Sequence, residues 1–126
     1  MKIALWIVQV LLGAAFIMAG FMKITTPIAE MAEMMSFVTV FPEAMVRFIG
    51  IAEVAGGIGV ILPALTRIQP RLTPIAAACL GLVMILAAIY HITQGEFSAI
   101  ISNIVLFALA AFVYYGRTKV APIAPR

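Results

Sequence analysis

The chain has 126 residues, of which 65% are hydrophobic and 10% charged, and its formal net charge is +3 at pH 7. Soluble domains carry about 25% charged residues, so this composition excludes an ordinary soluble globular domain. The basic residues form no patch of the kind that binds nucleic acid, and we therefore expect no nucleic-acid partner.

Four apolar stretches make up most of the chain. A hydrocarbon core roughly 30 Å thick requires about 20 residues at about 1.5 Å per helical residue. The stretches are Ile3 to Met22, Ala44 to Leu62, Leu72 to Thr93, and Ser98 to Tyr115. Because so short a chain cannot bury four such helices, the sequence predicts an integral membrane protein, with one membrane domain over residues 1–126.

A short amphipathic segment separates the first two spans. Thr26-Pro27 is typical of a helix start, and Phe41-Pro42 ends the segment. Apolar and acidic side chains recur on different faces at helical spacing. The apolar face consists of Ile28, Met31, Met35 and Val38, and the acids are Glu30 and Glu33. We expect a short helix that lies in the membrane interface on the outer side.

The remaining connections are short. Leu62-Pro63 is expected to end the second span, Thr73-Pro74 begins the third, and a tight turn from Gln94 to Ser98 leads into the fourth. Short connections make consecutive helices antiparallel. The predicted fold is therefore all-α, an up-down four-helix bundle in the membrane.

Lysine and arginine in short loops predict the orientation, because these residues resist translocation. Most of them flank the N-terminus, the loop between spans 2 and 3, and the C-terminus. These are Lys2, Arg67, Arg71, Arg117, Lys119 and Arg126. We therefore expect both termini to face the cytoplasm.

Polar residues within the spans must lie inside the protein or in water-filled space. On the first helix they form a stripe with two glycines, and on the second a glutamate lies between two glycines. The first stripe is Gln9, Gly13, Phe16, Gly20 and Lys23, and the second is Gly50, Glu53 and Gly57. Small residues of this kind line helix interfaces, so Lys23 and Glu53 are expected to face inward.

Five polar residues fall in the half of the bundle remote from the termini, here called the outer half. They are Lys23, Arg47, Glu53, His91 and Asn103. We expect them to line a polar ligand pocket that opens toward the outer surface or the outer leaflet and is covered by the methionine-rich segment from Pro27 to Val38. The inner half contributes only Gln9 and small apolar residues.

Each of these residues also has a structural interpretation. Lys23 and Arg47 are possible interface anchors, His91 a boundary residue, and Asn103 a hydrogen-bonding group between helices. A purely structural Glu53 requires a partner such as Lys23, Arg47 or a group from a second subunit. No Cys, His or carboxylate residues have the spacing of metal ligands, so the sequence predicts no metal site.

Three sequence elements resemble the DoxX-like family: Ala19-Gly20-Phe21-Met22-Lys23 at the end of the first span, Gly50-Ile51-Ala52-Glu53-Val54-Ala55-Gly56-Gly57 in the second, and His91 in the third. The resemblance covers nearly the whole chain and implies a four-helix protein of the bacterial inner membrane. The family takes its name from a subunit of a thiosulfate:quinone oxidoreductase, whereas distant eukaryotic relatives resemble receptor-assembly chaperones. The resemblance therefore does not decide between catalysis and assembly.

Two functions follow from these residues. In the first, the pocket binds a quinone or a similar small apolar carbonyl compound, with Lys23, His91 and Asn103 as donors and Glu53 as a proton relay. Since the chain has no evident electron carrier of its own, this function requires a partner redox subunit. In the second, the protein is a membrane assembly or scaffold subunit that docks through its small-residue faces on another membrane protein or a second copy.

Overall fold

A computed structural model describes residues 2–34 and 37–125. In these ranges the chain forms six α-helices and one π-helical segment, here called the terminal turn, which continues the last helix. They are α1 (Lys2–Thr25), α2 (Ile28–Met34), α3 (Phe37–Val40), α4 (Glu43–Thr66), α5 (Leu72–Thr93), α6 (Phe97–Tyr115) and the terminal turn (Gly116–Val120). Four are long and apolar enough to cross a membrane: α1, α4, α5, and α6 together with the terminal turn.

The prediction of four long apolar helices is confirmed, and the bounds differ most at Pro63. The helix α4 continues through this proline to Thr66 and ends at Arg67, whose φ of 58° is left-handed. A proline removes one backbone hydrogen bond but can keep helical dihedral angles. Because Pro63 lies in the last turn, the helix loses a single bond there and continues.

In the described part of the connection between α1 and α4, the chain is helical on both sides of residues 35–36, as α2 and α3. Met31 and Val38 on the predicted apolar face are buried and pack against Val46 of α4, with Ile28 beside them. Met35, the fourth residue of that face, lies outside the described residues. The apolar face thus covers the beginning of α4.

The helices α1 and α4 are antiparallel and approach closely at two pairs of glycines. A Cβ atom added at Gly50 would lie 2.8 Å from the carbonyl oxygen of Gly20, and one added at Gly57 would lie 2.7 Å from that of Gly13. Any side chain at these positions would meet the backbone of the other helix. The glycines of the two predicted stripes therefore allow the helices to touch.

The remaining helices complete the bundle in chain order. Gly56 lies against Leu80 and Gly59 against Ala76, which joins α4 to α5, and Gly81 faces Phe107 of α6. The helix α6 also contacts α1, so the four long helices enclose a common core. The buried members of this core are Leu12, Phe16, Val60, Ala77, Leu80, Met84, Ala110 and Val113.

The two ends of the bundle are formed by different segments of the chain. The beginning of α1, the α4–α5 loop and the terminal turn meet at one end, here called the basic end, as the contact between Leu5 and Gly116 shows. The α1–α4 connection and the α5–α6 turn lie at the other end, in the outer half.

Candidate functional site

Lys23 and Glu53 form an ion pair between the end of α1 and the middle of α4. The Lys23 Nζ atom lies 2.8 Å from Glu53 Oε1. The two residues are 8% and 3% exposed, and both face inward as the stripes predict. A Cβ atom added at Gly50 would lie 2.8 Å from Lys23 Cβ, so this glycine makes room for the lysine.

Arg47 closes the C-terminal end of α1. Its Nη1 atom donates hydrogen bonds to the carbonyl oxygens of Lys23, Ile24 and Thr26 at 2.9, 3.0 and 2.7 Å. The last carbonyls of a helix have no partner within the helix and carry partial negative charge. Arg47 therefore has the structural role of an anchor between α1 and α4.

His91 lies in the last turn of α5, beside the connection to α6. Its Nδ1 atom lies 2.9 Å from Glu96 Oε1, and its ring makes an edge contact with Tyr90. No hydrogen bond or ion pair between described residues joins His91 to Lys23 or Glu53. In this structure the histidine connects the two sides of the turn.

Asn103 lies on α6 beside an apolar groove between α5 and α6. The residue is 8% exposed, and its Nδ2 atom has no hydrogen-bond partner among residues 2–34 and 37–125. The groove has a volume of about 260 Å³. Its other lining residues are Met84, Ile85, Ala88, Ile89, Ile92, Ile104 and Phe107.

A second apolar groove adjoins the first. It has a volume of about 350 Å³, shares Ile85 and Phe107 with the first groove, and extends along α5 and α6 to Ala77 and Tyr114. Together the two grooves form a depression between α5 and α6, here called the α5–α6 groove. It runs from Asn103 in the outer half toward the basic end.

The five predicted residues therefore lie at three places. Lys23, Glu53 and Arg47 meet at the α1–α4 interface, while His91 lies in the last turn of α5 and contacts Glu96. Only Asn103 lines the α5–α6 groove. The proposed hydrogen-bond donors are Lys23, His91 and Asn103. Among them, only the donor nitrogen of Asn103 has no protein partner in the described chain.

One buried residue at the basic end was not predicted. Arg117, which the sequence predicts to be a loop charge, is 5% exposed. Its Nε atom donates to Gln9 Oε1 at 2.6 Å, while Gln9 Nε2 donates to the Val60 carbonyl at 2.8 Å. The guanidinium also lies 5.3 Å from the centre of the Trp6 ring, a cation–π distance. The sequence contains one indication that Arg117 is buried. Gln9 is a polar residue within a span, and such a residue requires a polar partner.

Comparisons with curated proteins and with solved structures found no match. A family model described as the DoxX-like family matches residues 7–113, which is most of the chain. The match includes Lys23, Arg47, Glu53, His91 and Asn103, and it ends before Arg117. The chain, with its four apolar helices and buried Lys23–Glu53 pair, therefore belongs to the DoxX-like family.

Proposed function

We propose that the protein binds a quinone or a similar small apolar carbonyl compound in the α5–α6 groove, as the membrane subunit of a redox assembly. The observation that carries the proposal is the buried Asn103 amide, which faces no acceptor in the described chain. A buried donor without a partner costs about 1–3 kcal/mol. Nδ2 is itself buried, so neighbouring side chains would have to shift to uncover it, and a ligand carbonyl that then accepted its hydrogen bond would remove this cost.

The apolar walls of the groove support the same ligand class. A quinone ring requires an apolar slot with a donor at a carbonyl oxygen, and the slot beside Asn103 is lined by aliphatic and aromatic side chains. Several of these side chains are exposed on the spans, including Ile89, Ile104 and Phe107. A ligand dissolved in the bilayer would therefore reach the groove without crossing water.

The length of the groove suits a ring with an apolar tail. The part beside Asn103, of about 260 Å³, would take the ring, and the adjoining part, of about 350 Å³, would take the tail. In this proposal the protein binds and orients the ligand. Electron transfer is assigned to a partner subunit that carries a flavin or a metal.

The test is the affinity of a short-chain benzoquinone for the purified protein in detergent, measured by isothermal titration calorimetry. Asn103→Leu keeps the approximate volume of the side chain and removes the amide. We expect it to weaken binding about tenfold, because one hydrogen bond contributes about 1 kcal/mol or more. Ser102→Ala is the matched control, since Ser102 is exposed on the same helix and does not line the groove.

Two further variants distinguish the α5–α6 groove from the pocket that the sequence predicts. If the ring lies at Asn103, Glu53→Gln and His91→Ala leave the affinity unchanged in folded protein. If these two variants weaken binding and Asn103→Leu does not, the ligand lies near the Lys23–Glu53 pair. Wild-type protein that binds no benzoquinone would contradict both sites.

The second candidate function is that of an assembly or scaffold subunit. It is supported by the exposure of the fourth span. In its most apolar 18-residue stretch 17% is buried, against 33% in the corresponding stretch of each of the other three spans. A photocrosslinker in place of Ala108, which is exposed on α6, would capture such a partner in native membranes. A stable crosslinked partner whose yield does not depend on quinone favours this function over the first.

A further inference from the structure

Arg117 is a buried cation whose observed contacts are all with neutral groups. Its acceptors are the side-chain oxygen of Gln9 and, at 2.9 Å from Nη1, the carbonyl oxygen of Ala121, while Trp6 contributes a ring face. Its Nη2 atom is buried and has no partner in the described part of the chain. A guanidinium removed from water in this way is stabilised by an anionic partner.

The protein itself does not supply that anion in the described ranges. Four of the five acidic residues lie in or directly beside the two connections in the outer half, and the fifth, Glu53, is paired with Lys23. The four are Glu30, Glu33, Glu43 and Glu96. The basic end therefore has an excess of positive charge around a buried arginine, and no acidic side chain of the described residues lies there as its counter-ion.

The guanidinium has one edge suited to such a group. The Nε side is occupied by Gln9, whereas the edge formed by Nη1 and Nη2 is held by a single carbonyl, that of Ala121. Ala121 follows the terminal turn and belongs to an irregular segment. Two oxygens of a phosphate match the paired terminal nitrogens of arginine, and such bidentate contacts are stronger than a contact with one neutral carbonyl.

We propose that Arg117 binds a phosphate group at the basic end of the bundle, displacing the Ala121 carbonyl and pairing with Nη1 and Nη2. The phosphate belongs to the headgroup of an anionic phospholipid or is free in solution. The level of the site in the membrane favours the headgroup, because Arg117 lies in the terminal turn, which ends the last span, and Trp6 beside it is a residue type common at membrane interfaces. This site lies apart from the α5–α6 groove, and Arg117 and Trp6 fall outside residues 7–113, the range matched by the family model.

The experiment measures the thermal unfolding of the full chain in a neutral detergent by circular dichroism. Three additives are titrated: short-chain phosphatidylglycerol, a diacylglycerol of the same chain length that has no phosphate, and inorganic phosphate. We expect phosphatidylglycerol to raise the Tm and diacylglycerol to leave it unchanged. A rise with inorganic phosphate at comparable concentration would show that the free ion also occupies the site, and its absence would assign the site to the lipid.

Variants separate a specific site from diffuse charge attraction. Arg117→Lys keeps the charge but lacks the paired nitrogens, so we expect its apparent affinity for phosphatidylglycerol to fall about tenfold. Lys119→Gln, the control, removes an exposed charge two residues away and should respond as the wild type does. Arg117→Gln should show no rise in Tm with phosphatidylglycerol. If Arg117→Gln does not fold, the comparison of Arg117→Lys with the wild type tests the proposal. Equal responses in Arg117→Lys and wild type, or no response to either phosphate compound, would overturn the proposal.

Discussion

At the scale of single residues, Glu53 is the side chain whose replacement should most affect stability. Glu53→Gln would leave the Lys23 ammonium buried without its partner, and breaking a buried ion pair costs about 3–5 kcal/mol. We therefore expect the free energy of unfolding of Glu53→Gln to fall by about that amount, measured by titration of the folded protein in mixed micelles with a denaturing detergent.

The double variant Lys23→Met, Glu53→Leu is the control for this prediction. It replaces both charges by apolar side chains of similar size, a change that is often neutral or stabilising. The double variant should therefore unfold at a higher denaturant concentration than Glu53→Gln alone. If the single variant is as stable as the wild type, the ion pair does not contribute to the fold.

The burial of Lys23 and Glu53 could be predicted from the sequence, whereas that of Arg117 could not. Steps of three and four residues place Lys23 on the same stripe as two glycines, which is a local property of one helix. Arg117 is buried because it meets Gln9, which lies 108 residues earlier, and this contact depends on α6 returning beside α1. The same dependence on packing explains why His91 and Asn103 could be assigned to the outer half but not to a common pocket.

At the scale of helices, the contact between α1 and α4 should be more sensitive to an added methyl group than that between α5 and α6. At Gly57 a Cβ atom would lie 2.7 Å from the Gly13 carbonyl oxygen, so the two backbones would have to separate. Overpacking of this kind costs about 1–3 kcal/mol. Gly57→Ala should lower the free energy of unfolding by about that amount in the mixed-micelle titration.

Gly81→Ala is the matched control, because the nearest atom to its added Cβ is Phe107 Cε2 at 3.5 Å, an ordinary van der Waals distance. Its stability should equal or slightly exceed that of the wild type, since alanine is the better helix former. Equal losses in the two variants would mean that backbone proximity does not set the strength of the α1–α4 contact.

The helices themselves were predictable because their apolar length is a property of the local sequence. The predicted third span, Leu72 to Thr93, has the same bounds as α5. The end of α4 was predicted too early, because the sequence shows the proline but not whether the chain keeps helical angles beyond it. Pairs of facing glycines, such as Gly13 with Gly57, require the register between two helices and so became visible only in the structure.

At the scale of the whole molecule, the two ends carry different charge and should face different sides of the membrane. Leu5 contacts Gly116, so the first and last helical segments meet at the same end, as an even number of spans requires. That end carries most of the lysine and arginine residues, and four of the five acids lie at the other. Since basic loops resist translocation, we expect the basic end to face the cytoplasm.

Cysteine labelling checks this orientation without altering the charges that set it. In a Cys79→Ser background, Gln94→Cys places a thiol in the exposed α5–α6 turn, and Pro122→Cys places one in the exposed segment after the terminal turn. A membrane-impermeant maleimide added to intact spheroplasts of a bacterial host should label Gln94→Cys at once and Pro122→Cys only after lysis. The reverse order would place the basic end outside. It would also expose Arg117 to the outer leaflet, so the source of the phosphate proposed there would have to be an outer-leaflet lipid.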